Sequence, residues 1–219
     1  MPKLTWDEVG TKRFENGVSQ GALYLQKDDG TYEKGVAWSG LINVNQNPDG
    51  AEETVEYADN IKYLSIRSAE NFKGSISAYT YPDEFELCEG AEEIETGIYV
   101  GQQSRRGFGL VYKTEIGNDV NQSLGQKLHI VYSAKVAPSA REYATINDSP
   151  SGVQFSWDFS TTPIPIPGFK PSAKITLDQT KCDKKAWDAI NDMCFGTDSE
   201  EAKLPLPQDV IDLASGALI

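Results

Sequence analysis

The sequence predicts a mainly β protein, a β-sandwich or barrel with one flanking α-helix. Apolar and polar residues alternate along several short runs, most clearly over residues 153–160, as in half-buried strands. Turn-forming Gly, Pro, Asn and Asp residues separate these runs. A helical period of apolar residues occurs near the C-terminus, over residues 186–194.

Composition limits the classes of function. The chain has 219 residues, 39% of them hydrophobic, and we interpret residues 1–219 as a single domain. Its 20 basic and 33 acidic residues give a net charge of −13. This sign argues against tight binding of nucleic acid or of anionic membranes, because both require a basic surface.

The three cysteines, Cys88, Cys182 and Cys194, show no CxxC spacing, so we expect free thiols in a reducing compartment. The N-terminus lacks the apolar core of a signal peptide, and no apolar run approaches the ~20 residues of a membrane span. The sequence therefore predicts a protein made in the cytoplasm, without a cleavable signal and without a membrane partner.

The first elements are predicted from turn chemistry. Residues 1–11 have no clear period and are interpreted as a flexible N-terminal arm. Asn16-Gly17 is a strong two-residue hairpin signal between the runs 12–15 and 18–25. A long strand over residues 36–44 is expected to bend at Gly40.

Residues 45–60 are predicted to be a long acidic loop between strands, with turn chemistry at Asn-Pro-Asp-Gly. Residues 61–67 and 72–81 then form a strand pair, to which most other strands are expected to be partners. In the second run Phe72, Ile76 and Ala78 share one face, and Lys73, Ser75 and Ser77 share the other.

The second half continues with strands and ends with helix. Expected in order are a short helix or turn closed by Gly90, strands at 98–100 and 108–115, a loop at 116–126, a strand at 127–136 and one at 153–159. A stiff proline-rich segment, 161–171, precedes a last strand around 175–177. A flanking helix over 183–195 begins at the N-cap Asp183 and ends at Gly196, and residues 196–219 form a C-terminal extension with a short helical stretch over 210–214.

Each candidate for chemistry has a simpler structural interpretation. His129 lies on the polar face of a strand, where a hydrogen-bonded or exposed residue is more common than a general base. Arg105-Arg106 could bind a phosphate, but such a pair in an acidic chain more often forms salt bridges, here with a neighbouring subunit as one candidate partner. Phe155, Trp157 and Phe159 are expected in the core, and they offer a sugar-stacking platform only if exposed.

The remaining candidates are acidic. The carboxylates that crowd one region are interpreted as a solvated face: Asp83, Glu84, Glu86, Glu89, Glu92, Glu93 and Glu95. Asp28-Asp29-Gly30 and Asn47-Pro48-Asp49-Gly50 lack the ligand spacing of a calcium loop and are interpreted as turns. We assign no catalytic, cofactor-binding or metal-binding residue, and we expect no enzyme.

The order of segments adds a resemblance. The successive pieces are ENGVSQGALYL, KGVAWSGLINVN, DGAEETVEYADNIKYL, AYTYPDEFELCEG, GQQSRRGFGLVYKTEIGND, KLHIVYSAKVAPSAREYATINDSP, FSWDFSTTPIPIPGFKPSAKITLD and FGTDSEEAKLPLP. From about Glu15 to about Leu213, this series is similar to the major tail tube protein of long, non-contractile-tailed bacteriophages that infect Gram-positive bacteria. An additional C-terminal immunoglobulin-like domain, which some relatives carry, is absent from the series.

The resemblance implies a structural virion protein with no cofactor. Such subunits form hexameric rings that stack into a tube, through which viral DNA passes to the host without specific binding. One sheet of each subunit contributes to a barrel that lines the lumen. Implied partners are further copies, the tape measure protein, and the tail terminator and tail tip proteins; assembly takes place in the host cytoplasm.

Further expectations follow from this role. Part of the negative charge is expected to face the lumen and repel DNA, with Arg105 and Arg106 at an interface. Residues 45–60, the N-terminal arm and the tail after Phe195 are the candidates to cross between rings. Two alternatives remain open: a carbohydrate-binding β-sandwich of a tail tip or surface protein, and a hydrolase that uses the acidic cluster.

Overall fold

The computed structural model describes residues 3–50, 52–68, 70–145 and 152–216. The chain is 47% strand and 14% helix, which confirms the mainly β fold class. The strands are β1 (Arg13–Leu25), β2 (Val36–Trp38), β3 (Leu41–Gln46), β4 (Asp49–Gly50), β5 (Glu53–Ala58), β6 (Ile61–Arg67), β7 (Glu70–Asn71), β8 (Lys73–Ala78), β9 (Glu92–Glu95), β10 (Ile98–Val100), β11 (Phe108–Asn118), β12 (Gly125–Val136), β13 (Phe155–Thr161), β14 (Ile164–Ile166), β15 (Phe169–Ser172) and β16 (Lys174–Asp178). The helices are α1 (Glu86–Glu89), α2 (Lys184–Phe195) and α3 (Pro207–Ser215), with a 3-10 turn at Asp83–Phe85.

One large antiparallel sheet organises the molecule, in the order β2-β1-β11-β12-β13-β8-β3, with β16 added beside β12. The strands at its two ends, β2 and β3, are consecutive in the chain and joined by only Ser39 and Gly40. The sheet must therefore curl until its ends meet. The indole of Trp38 in β2 lies 5.7 Å from that of Trp157 in β13, across the interior of the curled sheet.

Gly40 makes the corner between the two ends. Its φ of +79° lies in the left-handed region, which a side chain disfavours, and an added Cβ would lie 2.8 Å from Cγ2 of Thr80. The bend predicted at this glycine is confirmed. It separates two short strands, β2 and β3, which pair with different partners, β1 and β8.

Apolar side chains form two cores, one on each face of the sheet. The inner core lies inside the curl, where Trp38, Phe85 and Trp157 are fully buried at its centre. The outer core lies between the opposite face and the two C-terminal helices, where Trp187 and Ile190 of α2 pack. Both cores are continuous hydrophobic clusters, so burial of apolar surface stabilises the sheet from both sides.

β12 contributes to both cores, which corrects the prediction that Leu128, Ile130, Tyr132, Ala134 and Val136 share one face. The first three pack in the outer core, whereas the last two pack in the inner core. Ser133 has a φ of +47°, and this irregularity shifts the strand by one residue, so its later side chains change face.

The hairpin predicted at Asn16-Gly17 is wrong. Residues on both sides of it belong to β1, and both pair with β11, for example Glu15 with Ile116 and Leu23 with Leu110. Gly17 does have a positive φ, of +66°, but it uses this freedom for a bulge within one strand.

The long loop predicted over residues 45–60 is also wrong, because β5 lies within it and pairs with β6. The strand pair predicted from 61–67 and 72–81 is therefore divided. β6 belongs to a separate hairpin, and only β8 belongs to the large sheet, between β13 and β3. The faces of β8 are as expected: Ile76 and Ala78 are buried, while Lys73 is exposed.

The C-terminal third adds further structure to the predicted plan. The proline-rich segment 161–171 contains β14 and most of β15, a two-stranded hairpin with Gly168 at its turn. α2 begins after Asp183, whose carboxylate accepts the backbone N–H groups of Lys185 and Ala186, as an N-cap does. α3 is a second flanking helix, longer than the helical stretch predicted over 210–214.

The inner core provides a test of the fold with a matched pair of isoleucines. Ile76 is 0% exposed and Ile66 is 57% exposed. Ile76→Ala should lower the free energy of unfolding by about 2–5 kcal/mol, because it leaves a cavity in the core. Ile66→Ala should change it by less than about 0.5 kcal/mol. Urea denaturation measures both, and equal midpoints for the two variants would contradict the assignment of faces.

Candidate functional site

A polar sheet surface lies outside the curl, on β3, β8 and β13. We call it the wall face, and it consists of Asn43, Asn45, Lys73, Ser75, Ser77, Ser156, Asp158 and Ser160. The register places these side chains together, because Ser77 is paired with both Asn43 and Ser156, and paired residues in antiparallel strands share a face. Their neighbours along the strands point into the inner core.

The wall face is built from short side chains that bond to one another. The amide of Asn45 donates to Oγ of Ser75 at 3.3 Å, and Oγ of Ser77 donates to Oγ of Ser156 at 3.3 Å. The ammonium of Lys73 donates to the carboxylate of Asp49 and holds its pKa below the usual range. The wall face is therefore a surface of short polar side chains with one cation, Lys73, which is paired. The exposed Lys135 of β12 borders this face, because Lys135 is paired with Ser160 of β13.

Open strand edges flank the wall face. β3 pairs with β8 on one side, and the described residues give it no pair on the other. The N-terminal half of β13 pairs with β8 only, because β12 reaches it at Phe159–Thr161. The backbone N–H of Thr161 donates to the carbonyl of Phe72, on the side of β8, whereas the carbonyl of Asp158 accepts from the N–H of Ala137, on the opposite side. Backbone groups alternate in direction along a strand, so the N–H groups of even-numbered residues in β13 point away from β8. The N–H of Ser156 thus points to an edge where no strand of the described residues pairs with β13.

A long hairpin projects from this sheet between β3 and β8. We call it the hairpin arm, residues 47–72: β4 pairs with β7 at its base, and β5 pairs with β6 beyond. Large apolar side chains lie exposed along it, among them Tyr57, Ile61 and Tyr63, which are 72%, 64% and 67% exposed. Such a concentration of exposed apolar residues marks an interaction surface.

The hairpin structure of this arm was not predicted, although residues 45–60 were named as a candidate to cross between rings. Its turn signal is Asp59-Asn60, where φ is +52° and +64°. Positive φ at both central residues is typical of the turns that join two-stranded hairpins, and Asp and Asn tolerate it. A two-stranded hairpin has little stability of its own in water, so burial of these exposed apolar side chains against another surface would stabilise it.

His129 is a structural residue. It is 5% exposed, its ring is stacked on Tyr112 at 4.7 Å, and Nε2 lies 2.9 Å from Oγ1 of Thr114. That hydroxyl donates to Glu15 at 2.6 Å, so it accepts from His129. Burial lowers the pKa of His129 to about 4, the positive charge of Lys174 adds to this, and the imidazole is therefore neutral at pH 7.

The acidic cluster divides between structure and solvent. Glu89 is partly buried, and its carboxylate accepts hydrogen bonds from Nε1 of Trp157 and from Arg141. Burial raises the pKa of Glu89, but both of its oxygens are already bonded. Glu92, Glu93 and Glu95 lie exposed on the hairpin of β9 and β10. The cluster thus has the solvated character expected for most of its members.

Arg105 and Arg106 both bond within their own chain, and Arg106 forms a salt bridge of the kind predicted for this pair. Arg106 donates to the carboxylate of Glu33 at 2.7 Å and to the carbonyl of Gln26 at 3.0 Å. Arg105 donates to the carbonyl of Val136 at 3.1 Å. They fasten the segment before β11 to the rest of the barrel.

The other sequence candidates take core or surface positions. Trp157 and Phe159 are 1% and 3% exposed, which confirms them as core and leaves no sugar platform there. Within the described ranges, no three His, Cys, Asp or Glu side chains meet as a metal site would require. The helices of the described part of the chain are too short or too polar to cross a membrane. Cys88, Cys182 and Cys194 are free thiols.

No protein-family model matches the chain, and no curated protein matches it. Among solved structures, the SPP1 tail tube, solved by solid-state NMR and cryo-EM, is similar at 11% identity and a TM-score of 0.37, over 65% of this chain and 73% of that one. A chain of the anti-feeding prophage (AFP) baseplate is similar at 7% identity and a TM-score of 0.36, over 80% and 97%. A chain of the PVC sheath-tube complex, an extracellular contractile injection system in its extended state, is similar at 8% identity and a TM-score of 0.30, over 72% and 88%.

These similarities are weak in geometry, and with TM-scores below 0.5 they assign no function by themselves. The first of them is a phage tail tube, which is the class of protein that the order of sequence segments resembles.

The buried His129 predicts a pH dependence of stability. Its pKa is lower in the folded chain than the ordinary value near 6.5 of the unfolded chain, so below that value the unfolded chain binds a proton that the folded chain does not. The free energy of unfolding should therefore fall as pH decreases through this window, by about 2 kcal/mol between pH 7 and pH 5. His129→Gln, which keeps a donor for Thr114, should remove this loss. Parallel stability curves for the two proteins would contradict it.

Proposed function

We propose that the chain is a structural tail tube subunit of a bacteriophage, which assembles into stacked hexameric rings around a lumen for viral DNA. The observation that carries the proposal is one continuous feature, the wall face with open edges and with the hairpin arm emerging from two of its strands. The resemblance of the sequence segments supports the same role.

The open edges favour assembly around a ring. Unpaired N–H and C=O groups at a strand edge are a template for another strand, and proteins protect them or use them. Pairing β3 of one copy with the β13 side of the next satisfies both edges, and repetition around a closed ring leaves none exposed. The wall faces of all copies then form one barrel surface.

The composition of the wall face suits a conduit for DNA. Its serine, asparagine and aspartate side chains are short and mostly uncharged, and Lys73 is already paired with Asp49. Tight binding of DNA requires many cationic contacts to phosphates, which this face does not offer. The proposal thus replaces the expectation that part of the negative charge faces the lumen with a nearly neutral lumen, because the charged side chains of the wall face are Lys73 and Asp158.

Contacts between rings are assigned to the hairpin arm and the N-terminal arm. The N-terminal arm carries exposed Leu4, Trp6 and Val9, and its base is held by hydrogen bonds between Gly10 and the side chains of Asn118 and Asp119. The tail after Phe195 was expected to cross as well, but residues 202–213 pack on their own barrel, with Leu204 and Leu213 in the outer core.

Other partners follow from the role. A tape measure protein within the lumen and terminator and tip proteins at the tube ends are proposed, with the tail of the virion as the location and the host cytoplasm as the place of assembly. The carbohydrate-binding and hydrolase alternatives gain no support, because the candidate aromatic residues are core and Glu89 is structurally bonded.

Electron microscopy of the purified protein tests the function. Concentrated protein should form rings or tubes of uniform diameter with sixfold end views. Monomers alone, at every concentration and salt up to the solubility limit, would contradict the proposal.

An edge variant tests how the rings close. Ser156→Pro removes an N–H at the unpaired edge of β13 without removing a backbone bond to β8, and proline is tolerated at such positions. It also removes the hydroxyl that accepts from Ser77. It should leave the unfolding midpoint nearly unchanged but raise the concentration needed for assembly about tenfold or more, since every joint loses a hydrogen bond and meets the proline ring. Ser156→Ala, which loses the same hydroxyl but keeps the N–H, is the matched control. Normal assembly of the proline variant would place the joint elsewhere.

A further inference from the structure

Two surfaces at opposite ends of the barrel have complementary chemistry. We propose that the hairpin of β9 and β10 from one copy docks into a groove at the other end of a second copy. This inference rests on the proposed function, and it names one contact by which copies join head to tail along the tube.

The first surface is the β9–β10 hairpin, residues 92–100. Every residue in it is exposed, so it stands clear of the barrel. It combines the large apolar side chains of Ile94, Ile98 and Tyr99 with the carboxylates of Glu92 and Glu95. An exposed hairpin of this kind gains stability when a partner covers its apolar side chains.

The second surface is a groove of about 1040 Å³ between the base of the hairpin arm and the β14–β15 hairpin. Apolar groups line it, including Phe72 and Pro171, and three cationic side chains surround them, Arg67, Lys170 and Lys174. Glu70 is the acidic residue of this lining. Apolar lining with a cationic surround matches a hairpin that is apolar and acidic.

The strand β8 separates the two surfaces. Phe72, in the groove, comes directly before β8. After the other end of β8, Asp83 and Glu84 line a cleft together with Tyr99 of the β9–β10 hairpin. The six residues of β8 span about 20 Å. The surfaces thus lie at opposite ends of the barrel and do not meet within one copy.

This placement decides the type of contact. Docking of two different surfaces is heterologous, so each copy that accepts a hairpin also offers one. With its two surfaces at opposite ends of the barrel, such a contact repeats along the barrel axis, as the growth of a tube requires. Burial of the apolar side chains of the hairpin in the groove supplies the affinity. The charges determine the orientation of the two copies, because two acidic hairpins repel each other whereas an acidic hairpin and a cationic groove attract each other.

Charge reversal tests the contact in the full-length protein. The groove variant combines Arg67→Glu with Lys170→Glu, and the hairpin variant combines Glu92→Lys with Glu95→Lys. All four side chains are exposed, so folding is not affected, and the unfolding midpoint measured by circular dichroism checks this. Lys185→Glu with Lys203→Glu, at exposed positions outside both surfaces and outside the wall face, is the matched control.

Sedimentation and electron microscopy give the readout. Each two-site variant should raise the concentration needed for tube growth about tenfold or more, and the four-site variant, in which both charges are reversed, should return to within about threefold of the original protein. The control should assemble normally. If the unaltered protein forms tubes and all variants assemble equally well, this contact is overturned and the tube function is left intact. Loss in the two-site variants without recovery in the four-site variant would overturn it as well, and absence of assembly in the unaltered protein would overturn both.

Discussion

The two-residue connection between β2 and β3 is the constraint on which the structure depends. It joins the first and the last strand of the large sheet, so the sheet has to curl, and Trp38 comes to lie against Trp157. Curling creates an enclosed inner core and an outer surface, and it turns one side of β3, β8 and β13 to the core and the other to solvent. The wall face exists because of this geometry.

The two cores stabilise different parts of the molecule. The inner core is aromatic, with Phe85 against Trp38 at 4.5 Å and against Trp157 at 5.1 Å. The outer core holds α2 and α3 against the back of the sheet and, with Leu204, the segment between them. Since helices cover that side and the curl closes the interior, the wall face and the hairpins are the surfaces left for other copies. The chain thus combines two closed cores with strand edges that, within the described residues, have no partner.

The sequence predicts the alternation on β8 and β13, the bend at Gly40 and the helix after Asp183, because each depends on local periodicity or backbone chemistry. It fails where one local signal serves two structures. Asn16-Gly17 provides positive φ for a bulge as readily as for a turn, and Ser133 moves β12 from one core to the other with no signal in residue type. The pairing of β5 with β6 was missed because apolar residues that are exposed on a hairpin follow no rule of burial within one chain. The wall face needed the register between strands, which a single sequence does not state.

In the proposed tube, the serine-rich face of β3, β8 and β13 lines the lumen. A helical cryo-EM reconstruction of assembled tubes would show the direction in which Ser75, Ser77 and Ser156 point. We expect these side chains to face the tube axis and β3 of each subunit to be hydrogen-bonded to the β13 side of its neighbour. A reconstruction in which this face lies on the outside of the tube, or is buried against a neighbouring ring, would contradict it.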